Sequence, residues 1–272
     1  MLLLLLVVAY PIAYSGWVSL HRTEYLKIGP AIGLRHYGTL LGDEVIRRDV
    51  LISIKYVLGS LLGAVPLGLL LAIVLNQRLP LAAWFRTLCA LPWVISQTVT
   101  ALLWIWLLDP SFGPVNYLLD QAGVGRLNFI ANEATALPVL VTVNVWMSYP
   151  FAMILFLAGL QTIPDELYEA ARIDGASRLG EFLNVTLPLL RSTFLATCVM
   201  LTLYYFTMVT LIFIFTGGGP VGSTEVLSLR VFNETFLYWR VGQASALGVI
   251  IFALNAIFSL VYVRVLRTAP GT

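Results

Sequence analysis

Long apolar stretches alternate with shorter polar ones along the whole chain. Six continuous apolar blocks stand out, at residues 2–20, 51–75, 88–108, 137–160, 194–215 and 244–265. Each is close to the ~20 residues that a helix needs to cross a bilayer. The blocks do not alternate apolar with polar positions and exceed the ~10 residues of a barrel strand. The expected fold class is therefore all-α: a polytopic membrane protein with six transmembrane helices in one domain over residues 1–272. Five connectors, at residues 21–50, 76–87, 109–136, 161–193 and 216–243, carry prolines, glycines and charges. No internal repeat or low-complexity tract is visible.

Composition strengthens the membrane reading. The chain is 59% apolar and only 11% charged, against ~25% charged in a soluble domain, and its mean hydropathy is +0.89. The net charge is +2 and the basic residues are scattered without a stripe, so nucleic acid is not an expected partner. Cys89 and Cys198 each lie inside an apolar block and read as small buried hydrophobes, with no disulfide or zinc spacing. His21 and His36 share an external connector without metal-ligand spacing, so no metal site is expected. Lys55, near the start of the second block, is expected to snorkel to the interface.

The first block is read as a retained helix. It lacks the basic leader of a signal peptide and stays apolar past Ala13-Tyr14-Ser15. The missing basic leader fits a chain that starts late. The bias of basic residues does not orient the chain, because one side carries seven (Arg78, Arg86, Arg172, Arg178, Arg191, Arg264, Arg267) and the other eight.

The connector at 161–193 differs from the others in being long, charged and helix-patterned. Pro164 with Asp165 and Glu166 marks a helix start that suits the helix dipole. Tyr168, Ala170 and Ala171 form one face. Gly175 interrupts that helix after Asp174, and a second helical stretch from 176 to about 185 ends near Leu187-Pro188. The expected product is two short helices at an angle, able to present a small-residue turn to a soluble partner.

Glu169-Ala170-Ala171, three residues, Gly175, nine residues and Val185-Thr186-Leu187-Pro188 resemble the EAA loop of binding-protein-dependent ABC importer permeases, E-A-A-x3-G-x9-I-x-L-P. Only Val185 departs from it. Ile163-Pro164, Leu167-Tyr168, Asp174-Gly175-Ala176-Ser177 and Phe182 resemble the carbohydrate-uptake branch, including maltose and glycerol-3-phosphate permeases. Thr216-Gly217-Gly218-Gly219-Pro220 is similar to the loop of that branch's first-type subunit. Gly33-Leu34 with Tyr37 is a partial match, with Arg35-His36 where the family has an acid and an asparagine.

The resemblance implies the type I importer permease fold in the cytoplasmic (inner) membrane. It implies a second permease forming a heterodimer, two ATPase subunits or a homodimer of one, and an extracytoplasmic substrate-binding protein. ATP and Mg belong to those ATPase partners. This chain has no phosphate-loop motif and no cofactor of its own, and it is expected not to be an enzyme. The ATPase-coupling residues implied are Tyr168, Glu169, Ala170, Ala171, Asp174, Gly175, Ala176, Ser177 and Arg178. Glu169 is placed to cap helix donors or pair with Arg172 or Arg178, and Asp174 to bond nearby amides.

A carbohydrate needs hydrogen-bonding groups for its hydroxyls and an aromatic face for its C–H surface. Polar and aromatic residues within the blocks are the candidates for its pathway: Gln97, Trp104, Asn144, Ser148, Tyr149, Tyr204, Tyr205, Thr210 and Asn255. Each of the polar ones competes with a role as interhelical glue, and each aromatic one with packing. Asn144 and Ser148 share a helix face, whereas Asn144 and Tyr149 do not. Pro66, Pro92 and Pro150 interrupt their blocks and mark points of flexibility. A glycerophospho-compound or amino sugar is the alternative cargo. An ion-coupled secondary transporter is disfavoured because no acidic residue lies well inside a block. A membrane enzyme would need clustered nucleophiles or carboxylates, and a scaffold leaves the EAA spacing unexplained.

Overall fold

The protein's structure, a computed structural model, describes residues 2–77 and 80–267. Arg78, one of the basic residues weighed above, lies outside the described residues. The chain opens with α1 (Leu2–Val18), followed by an antiparallel hairpin of β1 (His21–Glu24) and β2 (Lys27–Ala31). Next come α2 (Arg35–Gly42), α3 (Glu44–Asn76), α4 (Ala82–Val94), α5 (Gln97–Leu107), α6 (Pro114–Gln121) and α7 (Glu133–Leu160). The fourth connector folds as α8 (Asp165–Ile173), α9 (Arg178–Glu181), a π-helical turn at Phe182–Thr186 and α10 (Leu187–Leu189). The chain then runs through α11 (Arg191–Thr207), α12 (Thr210–Phe215), α13 (Leu227–Phe236) and α14 (Val241–Arg267).

Local signals set several helix starts. Asp43 accepts from the amide of Val45 at 2.8 Å and caps α3; Asn132 caps α7 in the same way through Ala134 at 2.9 Å. The core is built on α3 against α7. Their backbones approach closely because α3 presents Gly59, Gly63 and Gly68 to α7. A Cβ on Gly63 would lie 2.5 Å from Val145 Cγ2, and one on Gly68 2.6 Å from Ala152 Cβ and 2.8 Å from the Met153 amide. Small residues at such spacing are the usual contact between helices in lipid, where apolar burial gives no driving force. Tyr56, Leu140, Phe156 and Tyr205 fill the interior, and α11 and α14 flank it. Many large apolar side chains face outward instead, among them Leu62 at 76% and Leu70 at 58% exposure. That inversion suits a hydrocarbon solvent.

Among the described residues, three helices are long and apolar enough to cross a membrane: α3, α7 and α14. The number is five if each sharply bent pair counts as one span. Several expectations change accordingly. The block at 88–108 is not one straight helix: α4 and α5 meet at 94°. Ile95 and Ser96 are extended there, and Ser96 Oγ accepts from the Val99 amide at 3.3 Å, starting a new helix. The block at 194–215 is broken at Met208–Val209. Groups from elsewhere take up the freed bonds: Ser228 Oγ donates to the Met208 carbonyl at 2.6 Å, and Gln97 Oε1 accepts from the Leu211 amide at 3.3 Å.

Pro66 and Pro150, by contrast, sit inside unbroken helices. The second stretch of the fourth connector runs on through the π-helical turn and Pro188 to Leu189, close to the expected end, and the bend of 64° follows at Leu190. The all-α expectation has one small exception, the hairpin in the first connector. Its Thr23 Oγ1 accepts from the Gly242 amide at 2.8 Å and so ties it to the start of α14.

Candidate functional site

The element at 161–189 is an exposed elbow. α8 carries Asp165 and Glu166 in its first turn and Arg172 in its last, as the dipole favours. It closes in a Schellman turn: the Ala176 amide donates to the Ala171 carbonyl at 2.9 Å and the Gly175 amide to Arg172 at 3.0 Å. Gly175 adopts φ +81°, a left-handed conformation that a side chain opposes. Ser177 Oγ then caps α9 through the Gly180 amide at 3.3 Å.

No residue of α8 or α9 is buried. Ile173 is 86% and Leu179 66% exposed, on either side of the turn. An elbow with two apolar side chains flanking a small-residue turn is shaped for a groove on a partner. Of the expected coupling face, Tyr168 and Ala171 are half-buried, while Ala170 and Glu169 point outward with Asp174 and Arg178. Backbone bonds, not the Asp174 side chain, make the turn described above. Arg172 pairs with Glu181, Nε to Oε1 at 3.0 Å, so Glu169 lies outside that pair. The Glu181 hydrogen bond and charge raise the Arg172 pKa above its ordinary value.

The expected pathway residues separate into groups. Ser148, Tyr205, Tyr204 and Gln97 form one connected set. Ser148 Oγ lies 2.7 Å from the Tyr205 hydroxyl, and Gln97 Nε2 donates to the Tyr204 hydroxyl at 3.0 Å. Ser148 and Tyr204 line a cleft of about 380 Å³ together with Trp93, Met147, Phe151 and Met200. The Trp93 and Phe151 rings stand 5.7 Å apart at 42°. No lining residue carries a charge.

The others lie elsewhere. Asn144 is fully buried and donates to Ser60 Oγ at 2.8 Å, joining α7 to α3. Trp104 packs edge-on against Trp146 at 5.7 Å. Tyr149 is half-buried and places its carbonyl against Gly68. Thr210 is exposed at the start of α12. Asn255 lines a separate groove of about 830 Å³ among α1, α11 and α14.

Two features escape the sequence reading. Trp93 and Phe151 look like ordinary span aromatics, and they meet only because α4 packs against α7. The second is an ion network. Asp49, fully buried in the second turn of α3, accepts from Arg230 Nε at 2.9 Å, and Arg230 Nη2 meets Glu225 Oε2 at 2.9 Å. Asp49 lies two residues before the second apolar block, so block boundaries hide it. Glu234, one turn beyond Arg230, is largely buried and its carboxyl pKa is raised by that burial. Ser53 Oγ adds a bond from the same face of α3 to the Leu227 amide at 2.8 Å, capping α13 across the chain.

Comparison with known proteins identifies the architecture. Residues 64–268 match the family model described as binding-protein-dependent transport system inner membrane component. The chain is 33% identical over 267 residues to the trehalose/maltose transport system permease protein MalF of Thermococcus litoralis, covering 97% of this chain and 89% of that protein. It is 30% identical over 224 residues to the sn-glycerol-3-phosphate transport system permease protein UgpA of Agrobacterium fabrum, covering 82% and 76%. Among solved structures it superposes with a TM-score of 0.82 on a chain of a bacterial alginate ABC transporter in complex with an alginate pentasaccharide-bound periplasmic protein. That match has 24% identity and covers 96% of this chain and 89% of the other. With its type I ABC importer permease fold, the chain belongs to the binding-protein-dependent transport system inner membrane component family, the membrane permeases of ABC importers.

Proposed function

We propose that this chain is one permease half of a carbohydrate importer. An extracytoplasmic binding protein delivers the cargo, and a separate ATPase subunit, which holds the ATP and Mg, supplies the energy. The observation that carries the reading is the elbow: Gly175 at φ +81° between two exposed helices, in register with Glu169-Ala170-Ala171 and Leu187-Pro188. The turn around Gly175 seats in a groove of the ATPase, with Ile173 and Leu179 on either side of it covered there.

In this reading the single domain crosses the inner membrane six times, as α1, α3, α4 with α5, α7, α11 with α12, and α14. The second permease completes a heterodimer against part of the exposed apolar surface. The cleft of Trp93, Ser148, Phe151 and Tyr204 is this chain's wall of the cargo pathway, with ring faces for sugar C–H surfaces and hydroxyls for its polar edge. Asn144, Trp104 and Tyr149 act as packing and interhelical contacts, while Thr210 and Asn255 lie apart from this cleft.

The uncharged lining favours a neutral saccharide over a glycerophospho-compound, because a buried phosphate needs a cationic partner. The name of the trehalose/maltose relative supports a carbohydrate, while that of UgpA carries sn-glycerol-3-phosphate and keeps the alternative cargo in the test. The test is ATPase activity of the reconstituted complex with neutral sugars and glycerophospho-compounds presented on the binding protein. Stimulation by a neutral sugar is expected, and a complex that recruits no ATPase would sink the reading.

A further inference from the structure

We infer that Tyr168, Arg172, Glu181 and Thr186 form a clasp that makes the elbow a rigid lever, and that they are positioning residues for coupling and not contacts to the ATPase. The inference rests on the coupling role proposed above and adds how this chain transmits the movement.

The elbow is poorly supported from behind. A cleft of about 530 Å³ separates it from the ends of the spans, lined by Ile73, Asn76 and Leu160 on one side and Tyr168, Arg172 and Glu181 on the other. α8 buries no side chain of its own. It packs against α9 and the π-helical turn. The only chain linking α8 to α9 is the turn at Gly175, whose lack of a Cβ makes it the easiest point at which to bend. A force applied to α8 would be lost as rotation about that turn unless something braces it.

Two side-chain bonds form the brace. Arg172 Nε meets Glu181 Oε1 at 3.0 Å close to the turn. Farther out, the Tyr168 and Thr186 hydroxyls lie 3.1 Å apart. Tyr168 stands seven residues before Gly175, about 10 Å along a helix, so this second bond closes a triangle whose apex is the glycine. Its anchor is firm: Thr186 is buried, at 6% exposure, and sits in the π-helical turn, where the altered bonding pattern aims its hydroxyl back at α8. Glu181 is likewise the covered member of its pair, 15% exposed against 62% for Arg172. Both anchors therefore belong to the run that leads through Leu190 into α11, and both free ends belong to α8. Push on α8 and the whole run follows.

The experiment is the ratio of sugar imported to ATP hydrolysed by the full complex in proteoliposomes, with its ATPase, second permease and binding protein. Tyr168→Phe and Arg172→Gln each lower that ratio by about two- to fivefold, the factor that one net hydrogen bond or one exposed ion pair contributes, and the double variant lowers it further. The exchanged pair Arg172→Glu with Glu181→Arg restores it to within about twofold of wild type. An unchanged ratio in the double variant overturns the clasp. So does loss of the ATPase from the purified variant complexes, which would make these side chains direct contacts. A wild-type complex that holds no ATPase would refute the coupling reading itself, before any variant is compared.

Discussion

Replacing Arg230 with Met tests whether the buried ion network holds α13 to α3. The substitution keeps most of the side chain's length but strands Asp49, which has no exposed surface, and leaves Glu225 without its 2.9 Å partner. Removing one member of a buried pair costs about 3–5 kcal/mol, because the remaining charge has lost its water and its counter-charge. Glu225 is 17% exposed and can turn toward solvent, so the cost falls mainly on Asp49. At roughly 2–4 °C per kcal/mol for a chain of this size, the apparent Tm falls by about 10 °C. The assay is the fraction of detergent-solubilised protein that stays monodisperse after heating. Replacing both partners, Asp49→Leu with Arg230→Met, removes the stranded charge, and most of the loss returns, since apolar pairs commonly match buried ion pairs in stability. A single variant within about 2 °C of wild type would refute the reasoning, and so would a double variant less stable than the single.

Gly175→Leu forces a side chain into a left-handed conformation at a cost of about 1–2 kcal/mol. Because the turn is exposed, the protein still inserts, but uptake is abolished and the ATPase is uncoupled or lost on purification. Gly68→Val drives a side chain into Ala152 and the Met153 backbone, and thermal stability falls by about 1–3 kcal/mol as α3 and α7 part. Trp93→Ala raises the KM for sugar uptake while the complex assembles normally; unchanged uptake kinetics would remove the cleft from the pathway. Asn144→Ala, which breaks the bond to Ser60, lowers stability by about 1 kcal/mol without altering cargo preference.

Much of this protein was legible in the residues alone, because the features concerned are local. Apolar runs of helical length require helices in a solvent without hydrogen bonds, so the membrane character and the approximate block positions follow directly. The elbow was equally visible. Pro164 starts a helix and Gly175 stops it, each through bonds to residues within five positions.

What remained hidden depends on contacts between distant parts of the chain. The break at Met208 is stable because Gln97 and Ser228 satisfy the backbone there, and no pattern inside that block announces it. Asn144 and Ser148 share a face in any helix, yet their surroundings differ: Asn144 turns to Ser60, while Ser148 meets Tyr205 and borders the cleft. Asp49 and Arg230 are 181 positions apart and pair only because α13 folds back onto α3. The sequence by itself determined the solvent, the helices and the elbow, since hydropathy and capping act over a few residues. The tertiary structure alone decided which polar groups serve as glue and which face a cleft, because that depends on which helices lie side by side.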